Sequence, residues 1–195
     1  MGIKIGLVGQ LRSGKNTVAN LMEQYLLEYG YGDTKEIAFA DGLKQIVREY
    51  FPEAMKDGKK PRHHLQFIGQ QFRLLDPNVW VKYADRRVKA ISPTTNIIIT
   101  DCRQANEYKY LEENGFEVVK IVTSPEIQRQ RIIAGGGVVI EEQLNHETET
   151  AVAHLPSDYI IVNDGTLSDL DRKVSDLMSH ILGAETRGRN GYGEE

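Results

Sequence analysis

The chain has 195 residues, of which 40% are hydrophobic and 27% are charged, and its net charge is −4. This composition is typical of a globular domain with a sizeable core, and it excludes a disordered chain and a strongly basic protein of the kind that binds duplex nucleic acid. The single cysteine, Cys102, excludes an internal disulfide, and no apolar run approaches the ~20 residues that span a membrane. We therefore expect a cytoplasmic protein with neither nucleic-acid nor membrane partners.

Five short apolar runs predict β-strands, at residues 3–8, 36–40, 96–100, 116–123 and 158–162. Several of them are continuously apolar, as expected of strands that are covered on both faces. Helical patterns lie between the runs. The sequence therefore predicts an α/β fold, with a five-stranded parallel sheet and helices on both faces.

Residues 9–15, directly after the first strand, have the spacing G-x-x-x-x-G-K, and a helical pattern begins where they end. This is the order of a phosphate-binding loop, whose backbone N–H groups and following helix N-terminus bind phosphate oxygens. Lys15 would add a positive charge at the β- and γ-phosphates. The next position, usually Ser or Thr, is Asn16, and a hydroxyl follows only at Thr17.

A long segment separates the second and third predicted strands, roughly 55 residues in all, too many for one crossover helix. It contains helical patterns near 41–51, 62–75 and 77–90, the last one opened by Asp76 as cap and Pro77 in the first turn. Such an insertion can form a lobe over the carboxyl edge of the sheet, where open α/β sheets bind ligands.

A run of three glycines, residues 135–137, interrupts the region after the fourth strand and predicts a hinge or mobile lid. Arg129 and Arg131 precede it and cannot share one helical face. We expect one of them to reach a phosphate and the other to be solvated or salt-bridged. A last helix, capped by Thr166, is expected before a frayed tail that begins at Gly183.

Asp101 ends the third predicted strand, where phosphate-loop enzymes place an acidic residue to hold a magnesium-bound water; a cap for the following helix is the alternative. Arg103 could bind a phosphate through two parallel hydrogen bonds or lie on the surface. Trp80 is either a core residue or a base-stacking platform. His63 and His64 are adjacent and are expected on the surface, not in a metal site.

Several segments together resemble the phage and bacterial deoxynucleoside monophosphate kinases, up to about residue 182. Residues 13–17 are similar to the family's S-G-K-D-T, and residues 39–44 resemble F-A-D-P-L-K with Gly42 in place of proline. Further matches lie at residues 65–69, Arg73 and 76–81 (L-Q-x-x-G, R and D-P-x-x-W), 100–103 (T-D-C-R), 106–107 (N-E), 146–149 (H-x-S-E) and 163–166 (N-x-G-[ST]).

The resemblance implies a P-loop kinase fold that transfers the γ-phosphoryl group of ATP to a deoxynucleoside 5′-monophosphate, with Mg²⁺ as cofactor and small-molecule nucleotides as partners. One domain over residues 1–182 would carry a helical lobe at about 41–92 and a lid at about 129–150, followed by a flexible tail, 183–195. The implied catalytic residues are Lys15, Asp101 and Arg129. Residues expected to bind ATP are Leu11, Arg12, Ser13, Gly14, Lys15, Asn16 and Thr17; those for the acceptor are Asp41, Lys44, Arg73, Trp80, Arg103 and Glu107. Magnesium would be held by Asn16 and, through water, by Asp101.

Two other readings of the sequence stay open. The first is another small-molecule kinase on the same scaffold, such as a dephospho-coenzyme A or phosphomevalonate kinase, because only the acceptor site separates these enzymes. The second is a nucleotide-binding regulatory protein without turnover. The acceptor base and a homodimeric assembly are likewise left open.

Overall fold

The computed structural model describes residues 1–58, 61–140, 144 and 147–189. In this part of the chain strands alternate with helices. The strands are β1 (Lys4–Gly9), β2 (Thr34–Ile37), β3 (Asn96–Cys102), β4 (Glu117–Val122) and β5 (Tyr159–Val162). The α-helices are α1 (Lys15–Glu28), α2 (Asp41–Tyr50), α3 (Arg62–Leu75), α4 (Val79–Lys89), α5 (Ala105–Glu113), α6 (Pro125–Ala134), α7 (Glu147–His154) and α8 (Leu167–Arg189), and a 3-10 helix spans Pro52–Gly58.

The five strands form one parallel sheet in the order β2-β3-β1-β4-β5, which confirms the predicted fold class. β1 lies in the centre, between β3 and β4. The strand order therefore reverses at β1, and a crevice for ligands forms at such a switch point, beyond the carboxyl ends of the strands. The glycine loop that follows β1 opens into that position.

Helices cover both faces of the sheet, each over its own apolar core. On one face, α1 and α8 pack their buried side chains, among them Met22 and Met178, against β1 and β4. On the other face, Phe39, Leu43 and Leu111 belong to a second cluster that includes residues of the inserted helices. Because each fully buried side chain of this kind stabilises the fold by roughly 1.5–3 kcal/mol, the two cores hold the central strands firmly in place.

The inserted segment is helical as predicted, but the end of β2 before it and the start of α4 within it differ from the prediction. β2 ends at Ile37 instead of residue 40, because the backbone N–H groups of Phe39 and Ala40 donate to Asp101 and leave the strand ladder. α4 begins at Val79 instead of Pro77. Asp76 forms a turn before the helix, with its carboxylate accepting the N–H of Asn78 at 3.0 Å.

The glycine run after α6 forms the end of that helix. Gly136 has φ +72°, the N–H of Gly136 donates to Ile133, and the N–H of Gly137 donates to Ile132. This is a Schellman cap, which requires a residue in the left-handed conformation. The predicted lid continues into residues 141–143 and 145–146, which lie outside the described part of the chain, as does His146 of the H-x-S-E resemblance.

The last helix, α8, is capped as predicted. Thr166 and Asp169 exchange hydrogen bonds between side chain and backbone at 3.0 and 3.2 Å. The helix continues to Arg189, so it extends into the segment that was predicted as a tail from Gly183, and only residues 190–195 lie outside the description there.

Candidate active site around the phosphate loop

The loop between β1 and α1 curls tightly around the Lys15 side chain. Lys15 is 8% exposed, and its Nζ donates to the carbonyl oxygens of Gly9 at 2.5 Å and Gln10 at 2.8 Å. Arg12 and Gly14 have φ of +59° and +100°, so the backbone turns twice through the left-handed region. These features are those of a loop that encloses an anion, with the lysine ammonium at its centre.

The outer side of the loop is held by the end of β4 and the end of β5. The Ser13 carbonyl oxygen accepts hydrogen bonds from Thr123 Oγ1 at 3.1 Å and from Asn163 Nδ2 at 2.8 Å. Asn163 is 4% exposed. A Cβ on Gly14 would lie 2.2 Å from the same Asn163 nitrogen, so this position requires glycine for its close approach as well as for its φ.

Helix α6 holds the same side of the loop through two side chains one turn apart. Gln128 Nε2 donates to the Leu11 carbonyl at 2.6 Å. The Arg131 guanidinium donates to the carbonyls of Arg12 at 3.3 Å and Ser13 at 3.4 Å, and its other nitrogen donates to the Asn163 carbonyl at 2.9 Å. Arg131, for which a solvated or salt-bridged position was one expectation, is thus half-buried against the loop.

Asp101 lies at an irregularity in β3. The register between β1 and β3 shifts between Gly6 and Val8, which inserts an extra residue into β3 at this point. The two Asp101 carboxylate oxygens accept the N–H groups of Phe39 at 2.7 Å and Ala40 at 3.1 Å. Burial raises the pKa of this carboxyl, against the effect of those two donors. Asp101 therefore fixes the turn after β2, and not the N-terminus of the following helix.

Glu107 is buried at the start of α5 and connects that helix to α3. Its Oε2 accepts the N–H groups of Arg103 at 2.8 Å and Gln104 at 3.1 Å in a capping box for α5, and its Oε1 lies 3.8 Å from Arg73 of α3. Burial, reinforced by the charge of Asp101, raises the pKa of Glu107 to about 7. Arg73 is thereby drawn to the edge of the sheet that carries Arg103.

Asp41, at the start of α2, is the centre of a second group of charges. Its carboxylate pairs with Lys44 at 3.2 Å and with Arg87 of α4 at 2.8 Å, and it also accepts the N–H of Ala38 at 3.0 Å. Lys44 and Asp41 lie near enough to Asp101 to influence its pKa in opposite directions. The structure thus places Asp41, Lys44 and Arg87 in one charged group that lies near Asp101.

Trp80 lies in the core beneath the inserted helices. It is 4% exposed, its Nε1 donates to the Gly69 carbonyl at 3.3 Å, and its ring stacks on Phe72 with centroids 5.4 Å apart. Gly42 is also closely packed, because a Cβ there would lie 2.8 Å from the ring of Tyr83. The core alternative for Trp80 agrees with this burial.

A cavity of about 210 Å³ lies between the phosphate loop, the start of α3 and the segment after α6. Leu11 and Arg12 line it from the loop, Arg62 from α3, and Ile132 and Val138 from the third side. Its lining thus combines aliphatic side chains with two arginines.

Among the described residues, few side-chain oxygens at this site could coordinate a cation. Asn16 and Thr17 are exposed at the start of α1. The described residues, which include His63 and His64, contain no group of three or more His, Cys, Asp or Glu side chains that could hold a metal ion. A magnesium ion bound chiefly through phosphates and water fits these residues, since Mg²⁺ commonly takes only one or two protein ligands.

Some residues around the loop were not found from the sequence. No sequence motif identified Gln128 or Arg87, because each acts through a contact with a segment that is distant in the chain. Asn163 belonged to a motif without an assigned role. Arg129, the arginine that was expected to come from the lid, lies half-buried on α6, one residue after Gln128 and therefore on a different side of the helix.

No described helix is both long and apolar enough to cross a membrane.

Comparison with known proteins gives three kinds of similarity, to a family model, to individual sequences and to a solved structure. The family model described as deoxynucleotide monophosphate kinase matches residues 62–174, somewhat more than half of the chain. A dephospho-CoA kinase of Rhizobium etli is 24% identical over 92% of this chain and 94% of its own length, and one of Thermus thermophilus is 24% identical over 96% of each. Among solved structures, the shikimate kinase of Acinetobacter baumannii superposes with a TM-score of 0.56 at 17% identity, covering 93% of this chain and 94% of its own, so it shares the fold.

Proposed function

Because the chain belongs to the deoxynucleotide monophosphate kinase family, and is an ATP-dependent P-loop kinase, we propose that it phosphorylates a deoxynucleoside 5′-monophosphate to the diphosphate. The observation that carries this proposal is where the family match lies. Residues 62–174 begin after the phosphate loop, which all P-loop kinases share, and include Arg73, Arg103 and Glu107. The match therefore includes three of the residues that this proposal assigns to the acceptor, and the acceptor is what separates one P-loop kinase from another.

On the donor side, the proposal assigns ATP to the loop from Leu11 to Thr17. Lys15 would exchange its contacts with Gly9 and Gln10 for the β- and γ-phosphate oxygens, which are stronger acceptors because they are charged. Asn16, with Asp101 through water, would hold the magnesium ion, which neutralises phosphate charge in reactions of this class. Two carboxylate oxygens offer more acceptor sites than the two N–H donors occupy, so Asp101 can accept from a water as well.

On the acceptor side, positive charge collects where β2 and β3 end. Lys44, Arg73 and Arg103 would bind the monophosphate, while Asp41 and Glu107 hold the first two of these cations in place. In this proposal Trp80 supports the acceptor lobe from below through its buried ring.

The chemical step then needs positioning and charge neutralisation, and no covalent intermediate. An acceptor phosphate oxygen attacks the γ-phosphorus, the bond from that phosphorus to the β,γ-bridging oxygen breaks, and ADP leaves. Arg129, in a lid over residues 129–150, would approach the charge that spreads over the equatorial oxygens, and closure would exclude water. The domain layout proposed with it is a single kinase domain with its acceptor lobe at 41–92.

A dephospho-CoA kinase is the second candidate function. It is supported by full-length relatives of that name, which align with more than nine-tenths of this chain at 24% identity. The two candidates share the donor site and differ in the acceptor, so the same assay separates them.

The test is ADP release from ATP and Mg²⁺ in the presence of each of the four deoxynucleoside monophosphates, dephospho-coenzyme A or phosphomevalonate. We expect at least one deoxynucleoside monophosphate to raise ADP release well above the acceptor-free rate, and Lys15→Met to abolish the increase. Lys89→Met is the matched control, because Lys89 is an exposed lysine of α4 paired with Asp85. Stimulation by dephospho-coenzyme A alone would refute the proposal in favour of the second candidate. ATP binding without stimulation by any acceptor would indicate a regulatory protein.

A further inference from the structure

The contacts on the outer side of the phosphate loop form a clamp, defined here as Gln128, Arg131 and Asn163. We propose that the clamp sets the affinity for ATP by orienting the loop peptides, so that Arg131 and Asn163 are positioning residues and Arg131 is not a ligand of the transferred phosphoryl group. This rests on the proposed use of the loop for ATP, and not on the identity of the acceptor.

The clamp acts on three consecutive carbonyl groups. The oxygens of Leu11, Arg12 and Ser13 all accept bonds from it, and Ser13 accepts from both Arg131 and Asn163. A trans peptide is planar, so its N–H points away from its C=O. Fixing the carbonyls of Leu11 and Ser13 outward therefore fixes the N–H groups of Arg12 and Gly14 toward the inside of the loop, where a phosphate would lie.

Asn163 connects this clamp to the end of β5. Its Nδ2 donates to the loop while its backbone carbonyl and Oδ1 both accept from Arg131, at 2.9 and 3.2 Å. One buried side chain thus bridges loop and arginine, and the whole arrangement spans elements 150 positions apart. Because a buried amide that loses its acceptor is costly, the loop has little freedom to turn its peptides over.

Arg131 contributes its shape more than its charge in this arrangement. Its two terminal nitrogens reach the loop and β5 at the same time, which the single nitrogen of a lysine cannot do. Gln128 lies three residues earlier on α6 and faces the same way, so both side chains approach the loop from one helical face. A direct ligand of the transferred phosphoryl group would instead act mainly in the transition state, so its replacement by lysine would lower kcat.

The test compares ATP binding by calorimetry, without any acceptor, for Arg131→Lys and Asn163→Ala. The second variant removes the amide donor without adding a charge beside the loop. Arg172→Lys and Asn114→Ala are the matched controls, because Arg172 is an exposed arginine of α8, and Asn114 donates to the Tyr110 carbonyl at 2.8 Å, away from the loop. We expect both clamp variants to weaken ATP binding about tenfold or more, as loss of ~1.4 kcal/mol would, and both controls to bind like wild type.

Steady-state rates with saturating ATP give the second readout. The proposal expects the KM for ATP to rise in Arg131→Lys and kcat to change less than the KM, with the acceptor KM unaltered. Wild-type ATP affinity in both folded clamp variants, or a fall in kcat alone for Arg131→Lys, would overturn it. Should either variant melt below the assay temperature, Gln128→Met, which removes only the bond to the Leu11 carbonyl, is measured in its place by the same criteria. The calorimetric test of ATP binding uses no acceptor, so it remains valid even if no acceptor of the panel is phosphorylated.

Discussion

The side-chain amide nitrogen of Asn163 lies 2.8 Å from the carbonyl oxygen of Ser13 and would lie 2.2 Å from a Cβ on Gly14. The residue at the end of β5 therefore occupies the space that a side chain in the phosphate loop would need. The second glycine of the G-x-x-x-x-G-K spacing is required here by a distant contact as well as by the curvature of the loop.

Replacing Gly14 with alanine is predicted to destabilise the fold by more than the left-handed backbone alone explains. The φ of +100° costs roughly 1–2 kcal/mol for an alanine, and the contact with Asn163 adds to it. We expect a lower Tm and loss of measurable ATP binding. Gly115→Ala is the control, because Gly115 has φ +68° with no described atom within 4 Å of a Cβ. Equal losses of Tm for the two substitutions would show that the Asn163 contact has no role.

Removing two buried hydroxyl groups is predicted to leave the fold as stable as before or more so. Ser13 Oγ and Thr34 Oγ1 are buried, and neither has a hydrogen-bond partner among the described residues. A buried unsatisfied polar group costs ~1–3 kcal/mol, so Ser13→Ala and Thr34→Val should not lower the free energy of unfolding in urea. Thr123→Val provides the contrast, since that hydroxyl donates to the Ser13 carbonyl and its loss should destabilise by ~1 kcal/mol. Destabilisation by all three would show that the two hydroxyls do have partners.

Glu107 is predicted to make stability depend on pH. Its pKa rises from 4.5 to about 7 on folding because the side chain is buried, so the folded state binds the proton more tightly. Its contribution to stability is therefore complete below pH 4.5 and is lost as the pH rises through about 7, by roughly 3 kcal/mol at most.

The measurement is the free energy of unfolding of wild type and Glu107→Gln between pH 4.5 and 8. Glutamine does not titrate, so the difference between the two proteins should shift in favour of the variant as the pH rises. Using this difference removes the contribution of other groups, such as Asp101, whose pKa is also raised by burial. Parallel curves for the two proteins would mean that Glu107 ionises in the folded state as it does in the unfolded chain.

Substitutions at Gly42 and Tyr83 are predicted to have coupled effects on the free energy of unfolding. A Cβ at Gly42 would lie 2.8 to 3.0 Å from the Tyr83 ring, so Gly42→Ala should destabilise by about 1–3 kcal/mol through overpacking. The loss should be smaller when Tyr83 is also replaced by alanine, in a double-mutant cycle of urea melts. Gly183→Ala in α8, where a Cβ meets no described atom within 4 Å, should instead stabilise slightly through helix propensity. Additive effects of Gly42→Ala and Tyr83→Ala would contradict the coupling.

Local patterns in the sequence were enough to predict the sheet and the phosphate loop. Continuous apolar runs mark buried parallel strands, and the spacing of residues 9–15 follows from the geometry of phosphate binding. The helices of the inserted segment were found for the same reason, since their apolar residues recur at helical spacing.

Features that depend on long-range contacts could not be predicted in this way. β2 stops at Ile37 because Asp101, more than sixty positions later, binds the next two N–H groups that the apolar pattern alone would have placed in a strand. The clamp on the loop is likewise invisible from either segment alone. The sequence does not separate Arg131 from Arg129, and the contact of Arg131 with the loop carbonyls is visible only in the fold.

The central claim, transfer of a phosphoryl group to a deoxynucleoside monophosphate, is tested most directly by a competition for label. The protein is incubated with γ-labelled ATP, Mg²⁺ and an equimolar mixture of the four deoxynucleoside monophosphates and dephospho-coenzyme A, and the products are separated. We predict that the label appears in a deoxynucleoside diphosphate, and that Lys15→Met gives none. Label found in coenzyme A and in no diphosphate would contradict the claim.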